Sequence, residues 1–162
     1  MALTAANVLV GVAVLSFKYP IGGAYVEVGY TEDGVTFEYS ADTADIEVEE
    51  ETFPIQRVLT KETLAVTCNM AEGSLINIDK AIVGSVLAGS VITIGGGVVK
   101  EMSIRIVGTN PAGFNRTIVI ALATAVGTVG HMYKKGEKSV VPVTFQALKG
   151  AGNVCTITDS TS

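Results

Sequence analysis

The residue types that most often carry catalysis are sparse in this sequence. His131 is the only histidine, and the two cysteines, Cys68 and Cys155, lie far apart. A catalytic triad needs a nucleophile, a base and an orienting acid, and no spacing here places a serine or cysteine beside His131. One histidine and two scattered cysteines also do not form a typical zinc site. The sequence therefore predicts no catalytic residue, no metal site and no cofactor. It predicts that both cysteines are buried thiols, but the sequence alone does not exclude a disulfide between them.

The carboxylates from Asp45 to Glu51 form the densest group of ionisable side chains. Paired carboxylates can perform acid–base chemistry on sugars, but the two groups then need unequal environments to separate their pKa values. A row of acids on one strand face gives them similar, solvated surroundings. The run also lacks the ligand spacing and the glycine of an EF-hand. We interpret it as a solvated face or an interface.

Three consecutive glycines, Gly95, Gly96 and Gly97, suggest a phosphate-binding loop at first sight. The segment lacks the Gly-Lys-Ser/Thr ending of a P-loop and the spacing of a dinucleotide fingerprint, and no clear helix follows it. The sequence therefore predicts a flexible turn between Ile92 and Met102.

The charge of the chain is unevenly distributed. Ten acidic residues and no lysine or arginine lie between Tyr19 and Gln56, whereas the rest of the chain has six acids and eleven bases. Such asymmetry in a small protein indicates an interaction surface. It argues against ordinary nucleic-acid binding, which needs cations to displace the counterions around phosphates.

The composition is unusually apolar for a chain without membrane segments. Hydrophobic residues make up 48% of the 162 residues and charged residues 17%, with a mean hydropathy of +0.47. No apolar run reaches the roughly 18 residues that a membrane helix needs. We therefore expect no membrane partner, and we expect self-association to cover the surplus apolar surface.

Alternating apolar and polar residues predict a mainly β domain that spans residues 1–162. In residues 35–39 the alternation has the period of a half-buried strand, and Asp33-Gly34 before it predicts a hairpin turn. A break at residues 41–44 precedes the acidic strand. Pro142 predicts an edge or a bulge, because proline cannot donate to a ladder. The predicted strands are residues 24–30, 35–39, 45–51, 64–70, 103–107, 117–126, 140–148 and 154–158.

One amphipathic helix is predicted over residues 74–83. Leu75, Ile78 and Ile82 recur near helical spacing, and we expect this face to pack on the sheet or on a neighbouring subunit. Ser74 can cap the amino end, and Gly84 can end the helix.

Several segments, taken in order, resemble the tail tube (major tail) proteins of tailed bacteriophages. The first is Val-Gly-Tyr-Thr-Glu-Asp-Gly-Val at residues 28–35, followed by the acidic strand and by Pro-Ile-Gln-Arg-Val-Leu-Thr-Lys-Glu at residues 54–62. Val-Thr-Cys-Asn-Met-Ala-Glu at residues 66–72 then leads into the predicted helix. The last segments are Val-Pro-Val-Thr-Phe-Gln-Ala-Leu at residues 141–148 and the closing strand at residues 154–158.

The resemblance implies a β-sandwich or barrel-like fold with one flanking helix. It further implies hexameric rings stacked into a hollow tube in the virion tail, assembled in the host cytoplasm, with other tail proteins as partners. DNA would pass through the lumen without specific binding. Asp45, Glu47 and Glu49 are then candidates for the lumen wall. Alternatively, they meet Lys134, Lys135 and Lys138 of the next subunit at a contact between rings.

Two other readings stay open. The chain could be the tube subunit of a contractile injection system or another structural module of a virion, with the same β-rich fold. The hypothesis from a different functional class is a small β-barrel that binds a ligand or acts as an enzyme. It requires an enclosed polar pocket, and the sequence shows no convergent polar cluster to fill one.

Overall fold

The computed structural model describes residues 11–161 and is mainly β, with one short helix in those residues. This confirms the predicted fold class. The strands are β1 (Val14–Lys18), β2 (Val26–Glu27), β3 (Thr31–Ile46), β4 (Gln56–Met70), β5 (Ser85–Ala88), β6 (Val91–Ile94), β7 (Met102–Thr109), β8 (Asn115–Val126), β9 (Val141–Ala147) and β10 (Cys155–Asp159), and helix α1 (Leu75–Ala81) lies between β4 and β5.

Eight of these strands form one antiparallel sheet in the order β2-β1-β7-β8-β9-β4-β3, with β10 also paired to β8. β9 pairs with the carboxyl half of β8 and β10 with its amino half, so β9 and β10 lie end to end along β8. Side chains of β3 and β7 are distant in this order but line a common groove. The sheet is therefore curled into a barrel-like shape, while its terminal strands β2 and β3 do not pair with each other.

The core lies inside the curl. Along β4 the inward side chains alternate with outward ones, as the pleat requires. The largest fully buried apolar side chains come from β1, β4, β7, β8 and β9 and from the segments beside them: Leu15, Phe17, Val28, Val66, Met70, Met102, Ile104, Ile120, Val141 and Phe145.

The carboxyl half of the sheet agrees closely with the sequence. Strands predicted over residues 64–70, 103–107, 117–126, 140–148 and 154–158 all occur, and β7 and β8 form a hairpin. Pro142 pairs opposite Asn69 of β4, but β8 pairs with β9 only at Thr144 and beyond. At Pro142, therefore, β9 pairs with β4 on one side and is not paired with β8 on the other. This confirms the predicted edge position.

The turn predicted at Asp33-Gly34 is wrong. Both residues have the positive φ of a tight hairpin, 60° and 79°, but they form a bulge inside β3. The ladder passes from Glu32 opposite Asn69 to Val35 opposite Cys68, so the two residues are extra on one strand. Of the strand predicted before it over residues 24–30, only Val26–Glu27 forms.

The predicted break at residues 41–44 is also absent, because β3 continues through it with a second bulge between Asp42 and Thr43. The hydroxyl of Thr60, the residue left over on β4, donates to the Asp42 carbonyl at 3.0 Å. The predicted acidic strand is shorter than expected. β3 ends at Ile46, and residues 47–55 form the tip of the β3–β4 hairpin.

A small hairpin of β5 and β6 was not predicted. It is closed by the two residues Gly89 and Ser90, a pair that is a recognised hairpin signal. The glycine triplet follows β6 and forms no strand, as predicted. A Cβ placed on Gly97 would lie 2.1 Å from the Gly84 carbonyl oxygen, so this close approach of two backbones requires glycine.

Helix α1 begins after Ser74 as predicted, but it ends at Ala81 with Ile82 in the cap position, two residues before the predicted end at residue 83. Of the predicted packing face, Ile78 packs against the core, and packing of this face on a neighbouring subunit stays a prediction. The Ser74 hydroxyl accepts from the Asn77 amide, and Gly84 follows with φ of 77°. Leu75, however, is 42% exposed, and Ile78 and Ile82 are only half-buried. The buried side chains of the helix are instead Asn77, Asp79, Lys80 and Ala81.

A buried polar network explains this orientation. Asp79 binds the ammonium groups of Lys80 and Lys100, the former at 2.7 Å. The Ser85 hydroxyl donates to the Asp79 carboxylate at 2.8 Å, and Lys100 also donates to the Asp79 carbonyl. Asn77 donates to the Val28 and Glu72 carbonyls at 2.8 and 2.9 Å. Buried polar groups must find such partners, so the polar side of the helix turns inward.

The network joins the helix to the starts of β5 and β7. Burial alone raises the pKa of the Asp79 carboxyl, but hydrogen bonds from Lys100, Lys80 and Ser85 outweigh it and hold that pKa below its usual value. Asp79 is therefore the single anion between two buried cations. The Lys80 ammonium group also lies 4.3 Å from the centroid of the Tyr19 ring, a cation–π contact.

We expect Asp79→Asn to destabilise the fold by about 3–5 kcal/mol, because it leaves two buried ammonium groups without an anion. Denaturation in urea, monitored by circular dichroism, measures the change. Asp159→Asn is the matched control, since Asp159 pairs with Arg116 on an exposed surface, where such pairs contribute little. Equal shifts of the midpoint for both variants would contradict the structural importance of Asp79.

Candidate functional site

The distal half of the β3–β4 hairpin projects from the sheet. We name residues 41–62 the arm; all of its side chains are exposed except Val58, which is half-buried. The arm contains seven carboxylates and two basic residues, a net charge of −5. Ladder pairing from Ala41 opposite Glu62 to Ile46 opposite Gln56 holds it extended. It is therefore an acidic projection without a core of its own.

The three predicted lumen candidates lie towards the end of the arm. Asp45 is in β3, and its carboxylate accepts two hydrogen bonds from the Arg57 guanidinium, at 2.6 and 3.1 Å. These bonds lower the pKa of Asp45. Glu47 and Glu49 follow the end of the strand and are exposed. The expected separation of an acidic face from Ile46 and Val48 does not occur, because both apolar side chains are also exposed.

The predicted basic residues lie on a loop at the other side of the molecule. We name residues 128–139 the basic loop; it has no regular secondary structure and precedes β9. Lys134 binds Glu137 at 2.5 Å, and Lys138 binds Glu32 at 2.9 Å. Lys135 is exposed. Within one chain, therefore, the structure does not bring these lysines to the carboxylates of the arm.

A serine does approach the single histidine, contrary to the expectation from the sequence. The Ser139 hydroxyl lies 3.3 Å from His131 Nε2. Its donor geometry, however, points to the Met132 carbonyl at 2.5 Å. His131 Nδ1 has no hydrogen-bond partner within residues 11–161, so no orienting acid completes a triad among the described residues. The contact between His131 and Ser139 joins the two halves of the basic loop.

A groove opens where the arm leaves the sheet. β4 pairs with β9 only between Ala65 and Met70, and β9 ends at Ala147. The next strand along β8 is β10, which pairs only with β8 among the described strands. The base of the arm and β10 thus diverge and expose two strand edges. We name the groove between them the fork.

The fork has an apolar floor and a polar rim. Its volume is about 680 Å³, within the range of small-molecule sites. At the rim the Tyr39 hydroxyl donates to Glu62 at 2.7 Å, which raises the pKa of Tyr39. A second groove of about 360 Å³ continues from it past Phe37 and Ile157. The apolar floor is formed by Phe37, Leu64, Ala147, Leu148, Val154, Cys155 and Ile157.

Sequence reasoning missed the fork, although one signal for it exists. Residues 149–153, Lys-Gly-Ala-Gly-Asn, are turn formers between two predicted strands. They mark the interruption between β9 and β10. Nothing in the sequence indicates that the arm diverges from β10 at that point.

Comparison with known proteins does not place the chain in a family, because neither a family model nor a curated protein matches it. No group of three or more metal-ligating side chains occurs in the part of the chain that the structure describes. In residues 11–161 no helix is both long and apolar enough to cross a bilayer.

The two cysteines have different surroundings and are not bonded to each other. Cys68 is buried in the core, and burial raises its pKa to about 12. Cys155 is half-buried on the floor of the fork, and burial also raises its pKa. The prediction of two buried thiols holds fully for Cys68 only.

We expect Cys155 to react with maleimide at about pH 8.5 at least roughly a hundredfold faster than Cys68, because a buried thiol is rarely ionised or reached. Mass spectrometry of peptides after timed labelling measures both rates. In denaturant the two rates should converge, which is the internal control. Equal native rates would show that Cys155 does not face an open groove.

Proposed function

We propose that this chain is a self-assembling structural subunit, a tail tube protein that forms stacked hexameric rings in the virion tail of a bacteriophage. Its partners are further copies of itself and other tail proteins, and DNA passes through the lumen. The resemblance in residues 28–35, 54–62, 66–72 and 141–148 supports this family. The tube subunit of an injection system remains the alternative within the same structural class.

The observation that carries the proposal is the open edge of β3. This strand has 16 residues and ends the strand order, so no strand among the described residues pairs with its outer side. Long open edges pair readily with other chains unless they are covered. In a ring of subunits, the β3 edge of each copy would be covered by its neighbour, which closes the sheet around an axis.

Exposed apolar side chains support the same conclusion. They lie on the outer side of α1, on the small hairpin, at the arm tip and on the basic loop, and in an isolated chain they contact water. Contiguous apolar patches on a protein surface usually mark interaction sites. The most exposed of them are Phe53, Ile55, Val86, Val91, Ile94, Val98, Val99, Met132 and Tyr133.

Within this proposal the acids of the arm tip repel DNA from the tube wall. Glu47 and Glu49 are the stronger candidates, because Asp45 is already paired with Arg57. A wall of free carboxylates offers phosphates no cation to replace their counterions. The rival assigns the same acids to a contact with Lys134, Lys135 and Lys138 of another subunit.

We expect the purified protein to form rings or tubes as its concentration rises. Negative-stain electron microscopy and sedimentation velocity measure the assembly. A monomer across the full soluble range, even with added tail components, would overturn the proposal.

The double variant Glu47→Gln with Glu49→Gln tests the role of the arm tip. If these acids line the lumen, tubes form normally but DNA ejection is slower or incomplete, because less repulsion remains between wall and phosphate. If they bind lysines between subunits, tubes become shorter and more sensitive to salt. Tube length by microscopy and DNA release from particles measure the two effects.

Glu27→Gln with Glu101→Gln is the matched control for that variant. Both residues are exposed, lie outside the arm, and give the same change in net charge. Normal ejection in the control together with slow ejection in the arm variant supports the lumen assignment. Defective assembly with unaltered ejection from the surviving particles rules against it.

A further inference from the structure

The basic loop presents two large apolar side chains to solvent. Met132 is 67% exposed and Tyr133 is 86% exposed. The Tyr133 ring lies edge-on to His131, with 4.7 Å between the ring centroids, so the loop's own contacts hold it outward. Tyrosine and methionine are enriched in the cores of protein interfaces. The pair has the character of an anchor without a receptor in its own chain.

The fork has the properties of a site that could bind such an anchor. Its floor is apolar, it is open to solvent, and two strand edges border it. A groove of about 680 Å³ can accept both side chains of the anchor, since sites for whole small molecules begin near 300 Å³. The rim groups Tyr39 and Glu62 can accept hydrogen bonds from an incoming backbone or hydroxyl.

The charges beside the two surfaces have opposite sign. Lys134 and Lys135 follow the anchor directly, and the basic loop has three lysines and one glutamate. The arm, whose Glu62 lines the fork, has a net charge of −5. Lys149 at the fork is the one opposing cation in its lining, and its ammonium group donates to the Gly152 carbonyl at 2.9 Å. The arm therefore attracts the loop.

The two surfaces cannot meet within one chain. The basic loop leads into β9 at Val141, which pairs with Met70, whereas the fork begins near Leu64, past the other end of the β4–β9 ladder. Six residues of strand separate Met70 from Leu64, a distance of about 20 Å. A contact between the loop and the fork must therefore join different copies.

We infer, on the basis of the self-assembly proposed above, that the basic loop of one copy inserts Met132 and Tyr133 into the fork of the next copy. The partner is a second copy of this chain. Because anchor and receptor are different surfaces at opposite ends of the ladder, the contact is heterologous and each copy can bind one neighbour on each side.

Tyr133→Cys, with the natural Cys155 retained, tests the inference by cross-linking. Insertion brings residue 133 of one copy close to Cys155 of the next, within the short Cα distances that a disulfide needs. Oxidation of assembled protein should give a ladder of covalent dimers, trimers and longer chains on a non-reducing gel. Tyr133→Cys with Cys155→Ser should stop at dimers, because each copy then has one accessible thiol.

Loss of the anchor tests the energetics independently. Tyr133→Ala should raise the protein concentration needed for assembly at least roughly tenfold, because a buried aromatic ring contributes more than that factor to association. Tyr30→Ala is the matched control, since Tyr30 is 80% exposed but has no lysine pair after it. Its assembly should match that of the wild type. Thermal unfolding of the unassembled variants checks that both fold.

The outcomes separate this inference from the proposed function. Normal tubes that give no ladder, and in which Cys155 reacts as fast as in the monomer, overturn the loop–fork contact and leave the tube proposal intact. A chain that never assembles overturns both. A small apolar molecule that copurifies with the monomer and protects Cys155 makes the fork a ligand site and also overturns the inference.

Discussion

The extent of the β4–β9 ladder determines which parts of this molecule project. From Ala65 to Met70, β4 is paired on both sides and its inward side chains are buried; before Ala65 it pairs with β3 alone. Backbone pairing keeps the β3–β4 hairpin extended beyond that point, but none of residues 11–161 covers its faces. The arm and the fork are two consequences of one ladder that ends early, whereas β3 has an open edge because it ends the strand order. A sheet that stops short of covering its own strands must be completed by another chain or remain exposed.

The Asp79 network has an equally wide effect on the opposite side of the core. Because Asp79 must meet Lys80, Lys100 and Ser85 to be buried at all, α1 is rotated with its polar side inward. Leu75 and Ile76 of the helix are then exposed, as are Val86 and Val91 of the small hairpin. The burial of the Asp79 network thus leaves apolar side chains exposed on the outer side of α1. Part of the apolar composition of the chain is therefore exposed at this helix.

The sequence predicts features that depend on periodicity and on neighbouring residues. It does not predict features that depend on residues far away in the sequence. The strands of the carboxyl half follow from alternation, and the amino end of α1 follows from its capping residue Ser74. The Asp33-Gly34 turn failed because a dipeptide with positive φ serves a bulge as well as a hairpin, and only the partner strand distinguishes them. The burial of the polar side of α1 was not predicted, because Asp79 is compensated by Lys100, 21 residues away. The acids of the arm were found from composition, but the divergence of the arm from β10 depends on where the β4–β9 ladder ends.

The placement of charge limits how copies can associate. In a symmetric pair that joined the same surface of two copies, an arm with net charge −5 would face its equivalent, or the lysines of one basic loop would face those of another. Like charges in contact destabilise such a pair. Acidic and basic surfaces at opposite ends of the β4–β9 ladder favour contacts between unlike surfaces, which form a ring where the rotation between copies closes and an open filament where it does not. In the proposed assembly, lateral pairing at β3 runs across the strands, whereas the contact from loop to fork runs along them. Two such directions are what an assembly needs to grow both around an axis and along it.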